Sequence, residues 1–169
     1  MNDISIRLEV KEKDARKMIS WLDNKTITKY LNEDINSVES IKRVIDNNQS
    51  DLFTYYLNQD GRFFLIDLNH ESIGFINLFT IHKMKEYEVV IAIGDETNWG
   101  RQYAKKALEK ILREVFLSWR IERLQAKICI ENNRSIALFE HLKFSKIKKG
   151  NELITYSITF NDYMDSLLK

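Results

Sequence analysis

The stretch from Tyr103 to Phe116 constrains this chain more than any other. Tyr103, Ala104, Ala107, Leu108, Ile111, Leu112, Val115 and Phe116 recur on one stripe at helical spacing, with Lys105, Lys106, Glu109, Lys110 and Arg113 opposite. That pattern predicts an amphipathic helix whose apolar face lies on a core. Just upstream, Val89-Val90-Ile91-Ala92-Ile93 is an apolar run too short for a buried helix and reads as a strand. A buried strand that turns into a long one-sided helix needs a sheet for the helix to pack on, which points to an α+β fold.

The rest of the chain supplies that sheet. Ile4–Glu9 alternates apolar and polar residues as a strand does. Helices are predicted near Asp14–Leu22 and Ser37–Asn47, the second opened by a capping pair, Asn36 and Glu39. Residues 49–61 fit a loop or a strand. A hairpin follows, Phe63–Leu68 and Ile73–Phe79 about the polar turn 69–71, and a second turn near Lys83–Glu86 leads back into the apolar run. After the long helix come a strand at Leu124–Ile130, a short helix at Ser135–Leu142, and strands at Phe144–Lys148 and Leu153–Thr159. The sum is a mostly antiparallel sheet carrying helices, with one strand–helix–strand crossover.

Composition narrows the class. With 169 residues, 44% of them hydrophobic and 30% charged, the chain suits a single soluble domain over residues 1–169. Lys and Arg total 26 against 25 Asp and Glu, so no global basic field favours nucleic acid or an anionic membrane. The basic stretch Lys143–Lys149 reads as a solvated strand rim. The lone cysteine, Cys129, excludes an internal disulfide and a multi-thiolate metal site, and is expected to be a buried apolar residue of a strand. His70, His82 and His141 show no metal-ligand spacing, so no metal is expected. Neither a signal-like start nor a membrane-length apolar window is present, so a cytoplasmic protein is expected.

Two junctions carry the functional signal. Ile93-Gly94-Asp95-Glu96-Thr97-Asn98-Trp99-Gly100-Arg101-Gln102-Tyr103-Ala104 runs from the buried strand into the long helix. A helix start offers unpaired N–H groups and positive potential, so such a turn suits a phosphate or pyrophosphate. Gly100 permits close backbone approach, and Arg101, Lys105 and Lys106 add charge; the same residues also suit an ordinary turn with solvated basic side chains. The second junction, Glu131-Asn132-Asn133-Arg134-Ser135-Ile136-Ala137-Leu138-Phe139-Glu140-His141-Leu142-Lys143-Phe144, places asparagines where a helix cap or a ligand contact belongs.

Taken together, the two segments resemble the acetyl-coenzyme A signature regions of the GNAT superfamily of N-acetyltransferases, in its RimJ/RimL-like branch. Ile93-Gly94-Asp95 followed by Trp99-Gly100-Arg101-Gln102-Tyr103-Ala104 matches the branch pattern IGD-x-x-x-WGKGYA, and Asn132, Ser135, Ile136, Leu138, Phe139, Glu140, Leu142 and Phe144 match the later stretch. The resemblance implies a twisted mixed sheet of six to seven strands flanked by about four helices. The strands Glu86–Ile93 and Arg123–Ile130 would splay around the coenzyme's pantetheine arm. Main-chain groups of Ile91, Ala92 and Ile93 would then pair with the arm. The amides of Trp99, Gly100, Arg101, Gln102, Tyr103 and Ala104, helped by Lys105, would hold the pyrophosphate, and Asn132 would touch the arm. Two glycines of the family pattern are replaced, by Gln102 and Lys143.

The resemblance also implies the chemistry: direct attack of a primary amine on the thioester of acetyl-coenzyme A, with no protein nucleophile and no metal. A free alkylamine has a pKa near ~10.4, so a base is useful. Glu88 is expected in that role, with Glu86 the alternative or an acceptor contact. Many relatives carry a tyrosine acid where this chain has Phe139, which leaves Ser135 or Tyr103 to assist the departing thiolate. Trp21 lies in a segment that often lines the acceptor pocket, though it and Trp119 equally suit packing. The expected acceptor is a polyamine, an amino sugar or an aminoglycoside. The alternatives are a protein N-terminus, or a non-catalytic acyl-coenzyme A sensor suggested by Phe139 and Gln102. Members of the branch are often homodimers, and Tyr156, Phe160 and Tyr163 would serve either such a contact or the core.

Overall fold

The computed structural model describes residues 3–31, 37–82 and 85–169. In chain order the elements are β1 (Ile4–Arg7), α1 (Glu12–Asp23), α2 (Lys25–Thr28), α3 (Ser37–Asn47), α4 (Phe53–Leu57), β2 (Gly61–Leu68), β3 (Glu71–His82), β4 (Glu86–Ile93), α5 (Tyr103–Arg113), β5 (Arg123–Cys129), α6 (Asn133–His141), β6 (Ser145–Lys149), β7 (Leu153–Thr159) and α7 (Phe160–Leu167). The strands form one mixed sheet of seven in the order β1-β2-β3-β4-β5-β7-β6. β4 and β5 are parallel, with Glu86, Tyr87 and Glu88 opposite Arg123, Leu124 and Gln125. β1 with β2, β5 with β7 and β6 with β7 are antiparallel. Asn36 and the first half of the turn expected at Lys83–Glu86 lie outside the described residues.

The chain divides into two compact units, one formed by the chain up to Leu78 with Val90–Ala107, the other by Phe79–Val89 with Leu108–Lys169. In the first, Met18, Trp21, Phe63, Leu65, Phe75 and Ala92 belong to one buried cluster, with the Phe63 and Phe75 rings stacked at 5.4 Å. In the second, the α5 stripe from Leu108 onward is buried, as is the face of β5 bearing Leu124, Ala126 and Ile128. The alternating burial of β5 leaves Gln125 and Lys127 on its opposite, half-exposed face.

Several expectations change. Residues 49–61 are neither loop nor strand throughout: a 3-10 turn at Ser50–Leu52 leads into α4, whose Phe53 and Leu57 stand four residues apart and are both buried. That burial overrides the strand preference of its aromatics. A C-terminal helix, α7, follows β7 directly. It is opened by a capping box in which the Thr159 hydroxyl and the Asp162 carboxylate each bond the other's backbone N–H. Tyr156 and Tyr163 are core residues, leaving Phe160 the exposed one of the three C-terminal aromatics. Cys129 ends β5 half-buried instead of buried. Trp119 packs on the Tyr87 ring at 6.0 Å and donates its indole N–H to Glu114.

The first unit is tied by a buried ionic cluster that the sequence does not announce. The Arg7 guanidinium on β1 bonds both carboxylate oxygens of Asp67 on β2, at 2.8 and 3.1 Å, and both of Asp14 on α1, at 2.9 and 3.1 Å. Asp14 has no exposed surface, and it also accepts from the Ser72 hydroxyl and the Lys11 N–H. Burial pushes the Asp14 carboxyl up, but the Arg7, Lys11 and Ser72 hydrogen bonds outweigh it and hold the pKa below the usual 3.8. Arg7→Met leaves two buried carboxylates without their cation and is expected to cost about 3–5 kcal/mol in urea unfolding. The unfolded chain binds the Asp14 proton more tightly than the folded one. The stability this group contributes is therefore present above about pH 4 and lost as the pH falls through the lowered folded value, which acid titration of the unfolding midpoint checks.

Candidate active site

The strand-to-helix junction in the first unit is held by its own side chains. The Gly94 N–H bonds the Ile73 carbonyl at 2.7 Å. A Cβ on Gly94 would lie 2.1 Å from the Trp21 ring, so the ring occupies the space a side chain would need. The Asp95 carboxylate accepts from the Thr97 N–H at 2.9 Å and its hydroxyl at 2.8 Å, and these bonds keep its pKa low. The Trp99 indole N–H reaches back to the Ile93 carbonyl at 3.0 Å, closing the loop onto the strand it left. Arg101 donates through Nε to the Thr97 carbonyl at 2.9 Å. Gly100 and Gln102 both adopt the left-handed conformation, at φ 72° and 63°, immediately before α5. Space around the Gly100 Cα is open.

This geometry locates the residues expected to hold the coenzyme. Gly100, Arg101 and Gln102 are exposed; Trp99, Ala104 and Lys105 are half-buried. The Tyr103 side chain is 4% exposed and sits in the core. Of the strand residues, Ala92 is buried while Ile91 and Ile93 are half-buried. A left-handed Gln102 carries a steric cost of roughly 1 kcal/mol that a glycine would avoid. Trp21 is 7% exposed, a core residue set against Gly94.

The second unit holds the candidate acid–base groups. Glu88 on β4 is only 5% exposed, yet its Oε2 accepts from Gln125 Nε2 at 3.1 Å and lies 3.7 Å from Lys127 Nζ. Glu86, two residues earlier on the same face, lies 3.9 Å from Arg123 Nε. Gln125 and Lys127 were not singled out from the sequence. The alternation of β5 places them on its polar face, but the parallel register is needed to set them beside Glu88.

At the start of α6, Asn132 is the helix cap: its Oδ1 accepts the Ser135 N–H at 3.2 Å and its Nδ2 donates to Ser135 Oγ at 3.0 Å. At the other end Lys143 is left-handed, φ 68°. The Phe144 N–H bonds the Phe139 carbonyl and the Lys143 N–H bonds the Glu140 carbonyl, a Schellman closure with the Phe139 and Phe144 rings edge to face at 4.9 Å. Lys143 thus takes the glycine's place at the helix end, as its position in the motif implies. Phe139 is 3% exposed and serves this closure. Among the described residues no group of three His, Cys, Asp or Glu could hold a metal ion, and no helix is long and apolar enough to cross a membrane.

Because the Trp21 ring fills the Gly94 side-chain position, Gly94→Ala is expected to lower stability by about 1–3 kcal/mol. It should also change tryptophan fluorescence in the folded state. Parent-like unfolding and spectra would show that the ring yields freely.

A family model for the acetyltransferase (GNAT) domain matches residues 6–145. An uncharacterized protein of Methanocaldococcus jannaschii is 24% identical over 149 residues, covering 85% of this chain; the chain spans only 28% of that relative's length. Among solved structures, a GNAT-family acetyltransferase from Bacillus anthracis superposes with a TM-score of 0.73 at 18% identity, covering 95% of this chain and 98% of its own. A spermidine N-acetyltransferase from Vibrio cholerae, in complex with CoA and spermine, superposes at 0.75 with 17% identity, covering 95% and 98%. The fold is the same in each, and with the family match reaching from β1 to the start of β6 this chain belongs to the GNAT acetyltransferase family.

Proposed function

We propose that this chain is an acetyl-CoA-dependent N-acetyltransferase of the RimJ/RimL-like branch, that residues 1–169 act as one catalytic domain, and that its acceptor is a primary amine on a small molecule. The observation that carries the proposal is the junction before α5, where two left-handed residues flank Arg101 and the IGD and WGRQYA segments meet the turn geometry described. In this reading the backbone N–H groups of Trp99–Ala104 bind the coenzyme's pyrophosphate with Arg101 and Lys105. Ile91–Ile93 pair with the pantetheine arm, and Asn132 contacts it. The family match across both compact units supports a single domain.

Acetyl-CoA supplies an activated acyl group, and the protein must manage the protons. Glu88 takes the proton lost by the attacking amine. Its Gln125 and Lys127 partners orient the buried carboxylate for that work. Ser135 is favoured over Tyr103 for assisting the thiolate, because Tyr103 is buried and Ser135 is half-exposed at a helix start. Glu86 is the acceptor contact, and Trp21 acts on the site through Gly94. Polyamines, amino sugars and aminoglycosides all present the required amine. The Vibrio cholerae protein that shares the fold is a spermidine N-acetyltransferase, which makes polyamines the first acceptors to test. A cytoplasmic homodimer completes the reading, with Phe160 exposed for such a contact.

One observation favours a second reading, in which the domain binds acyl-CoA without turnover: the acid position of many relatives is occupied by the buried Phe139. Thiol release from acetyl-CoA over a panel of amines separates the two. We expect release with at least one amine, and a fall of about 100-fold or more in kcat for Glu88→Gln with acetyl-CoA affinity unchanged. Binding without release for any amine favours the sensor, and full activity of Glu88→Gln removes Glu88 as the base.

A further inference from the structure

The Asn132–Ser135 pair has a direction. The Ser135 backbone N–H can only donate, so the amide oxygen of Asn132 must face it, and the NH2 group is thereby turned toward Ser135 Oγ. The serine oxygen is an acceptor in this contact. Its own hydrogen has no acceptor among the described residues, although a helical serine commonly spends it on a carbonyl one turn back. We infer that Asn132 is a positioning residue: it caps α6 and at the same time forces the Ser135 hydroxyl to present its hydrogen outward, toward the departing sulfur.

The inference rests on the assignment of Ser135 to the leaving-group side and adds what sets its polarity. In the step, a bond forms between the acceptor nitrogen and the acetyl carbon, and the carbon–sulfur bond breaks with its electron pair left on sulfur. The amine proton goes to the Glu88 carboxylate. The serine proton stays on oxygen, because a hydroxyl is a weaker acid than a thiol. The outward O–H stabilises the forming thiolate by hydrogen bonding, and solvent later protonates the sulfur.

Asn132→Asp tests this without removing the cap. One aspartate oxygen still accepts the Ser135 N–H, and an aspartate at a helix start is as good a cap as asparagine. The other oxygen replaces a donor by an acceptor, so the Ser135 hydroxyl turns inward to it. The measurements are kcat at saturating acetyl-CoA for the parent, Asn132→Asp, Ser135→Ala and the double variant, with melting temperatures. Expected are a fall in kcat of about tenfold or more for each single variant, no further fall in the double variant, and a melting temperature for Asn132→Asp at or above the parent's. An altered KM for acetyl-CoA in Asn132→Asp reports the arm contact separately. If Asn132→Asp keeps the parent kcat while Ser135→Ala loses it, or if the two losses multiply, the orienting role is wrong. If Ser135→Ala keeps the parent kcat, the serine assignment beneath it falls as well.

Discussion

The close approach of the Trp21 ring to the Gly94 backbone is the constraint on which the junction between β4 and α5 depends. Gly94 ends β4 and begins the turn that delivers α5. With no side chain there, the tryptophan ring takes the space a Cβ would need, and the Gly94 N–H still reaches Ile73. The turn then closes on itself through Trp99 to the Ile93 carbonyl and through Thr97, which serves both Asp95 and Arg101. Little is left to vary before the first amides of α5. A site that binds an anion through backbone N–H groups needs this rigidity, because fixed donors need not be reorganised when the ligand arrives.

The position of Trp21 is in turn tied to the other end of α1. Asp14 and Trp21 are two turns apart on the buried face of that helix, with Met18 between them. Asp14 is fixed by Arg7, which is also bound to Asp67. A bidentate guanidinium suits this task, since its planar fork specifies direction as well as distance. The cluster gives α1 one docking arrangement, and through α1 it gives the ring one place to rest. Its net contribution to stability is modest beside the cost of removing a single partner.

What could be read from the sequence was whatever repeats locally. The α5 stripe, the hairpin about Asn69 and His70, and the two motif segments are each contained in a short window, and each lies where expected. α4 escaped because four of its five residues are aromatic or β-branched, and only burial of Phe53 and Leu57 makes them helical. α7 had a signal, Thr159 with Asp162 three residues on, but it follows a strand without a turn between them. The Arg7 cluster joins residues up to 60 positions apart, with no local pattern to mark them. The surroundings of Glu88 depend on a parallel register, and the orientation of Asn132 depends on which atom a backbone N–H faces. Such facts belong to pairing and hydrogen-bond direction, which composition and spacing do not encode.

In the proposed reaction the backbone donors before α5 hold an anion, and the buried Glu88 carboxylate takes the amine proton. In that reaction the pyrophosphate is what brings the thioester in. Calorimetric titration with acetyl-CoA and with acetyl-pantetheine, which keeps the thioester but lacks the pyrophosphate, tests that directly. A clear isotherm is predicted for acetyl-CoA, with binding weaker by at least about tenfold, or 1.4 kcal/mol, for the truncated thioester. Equal affinities, or no heat with acetyl-CoA at all, would contradict a site built around the pyrophosphate.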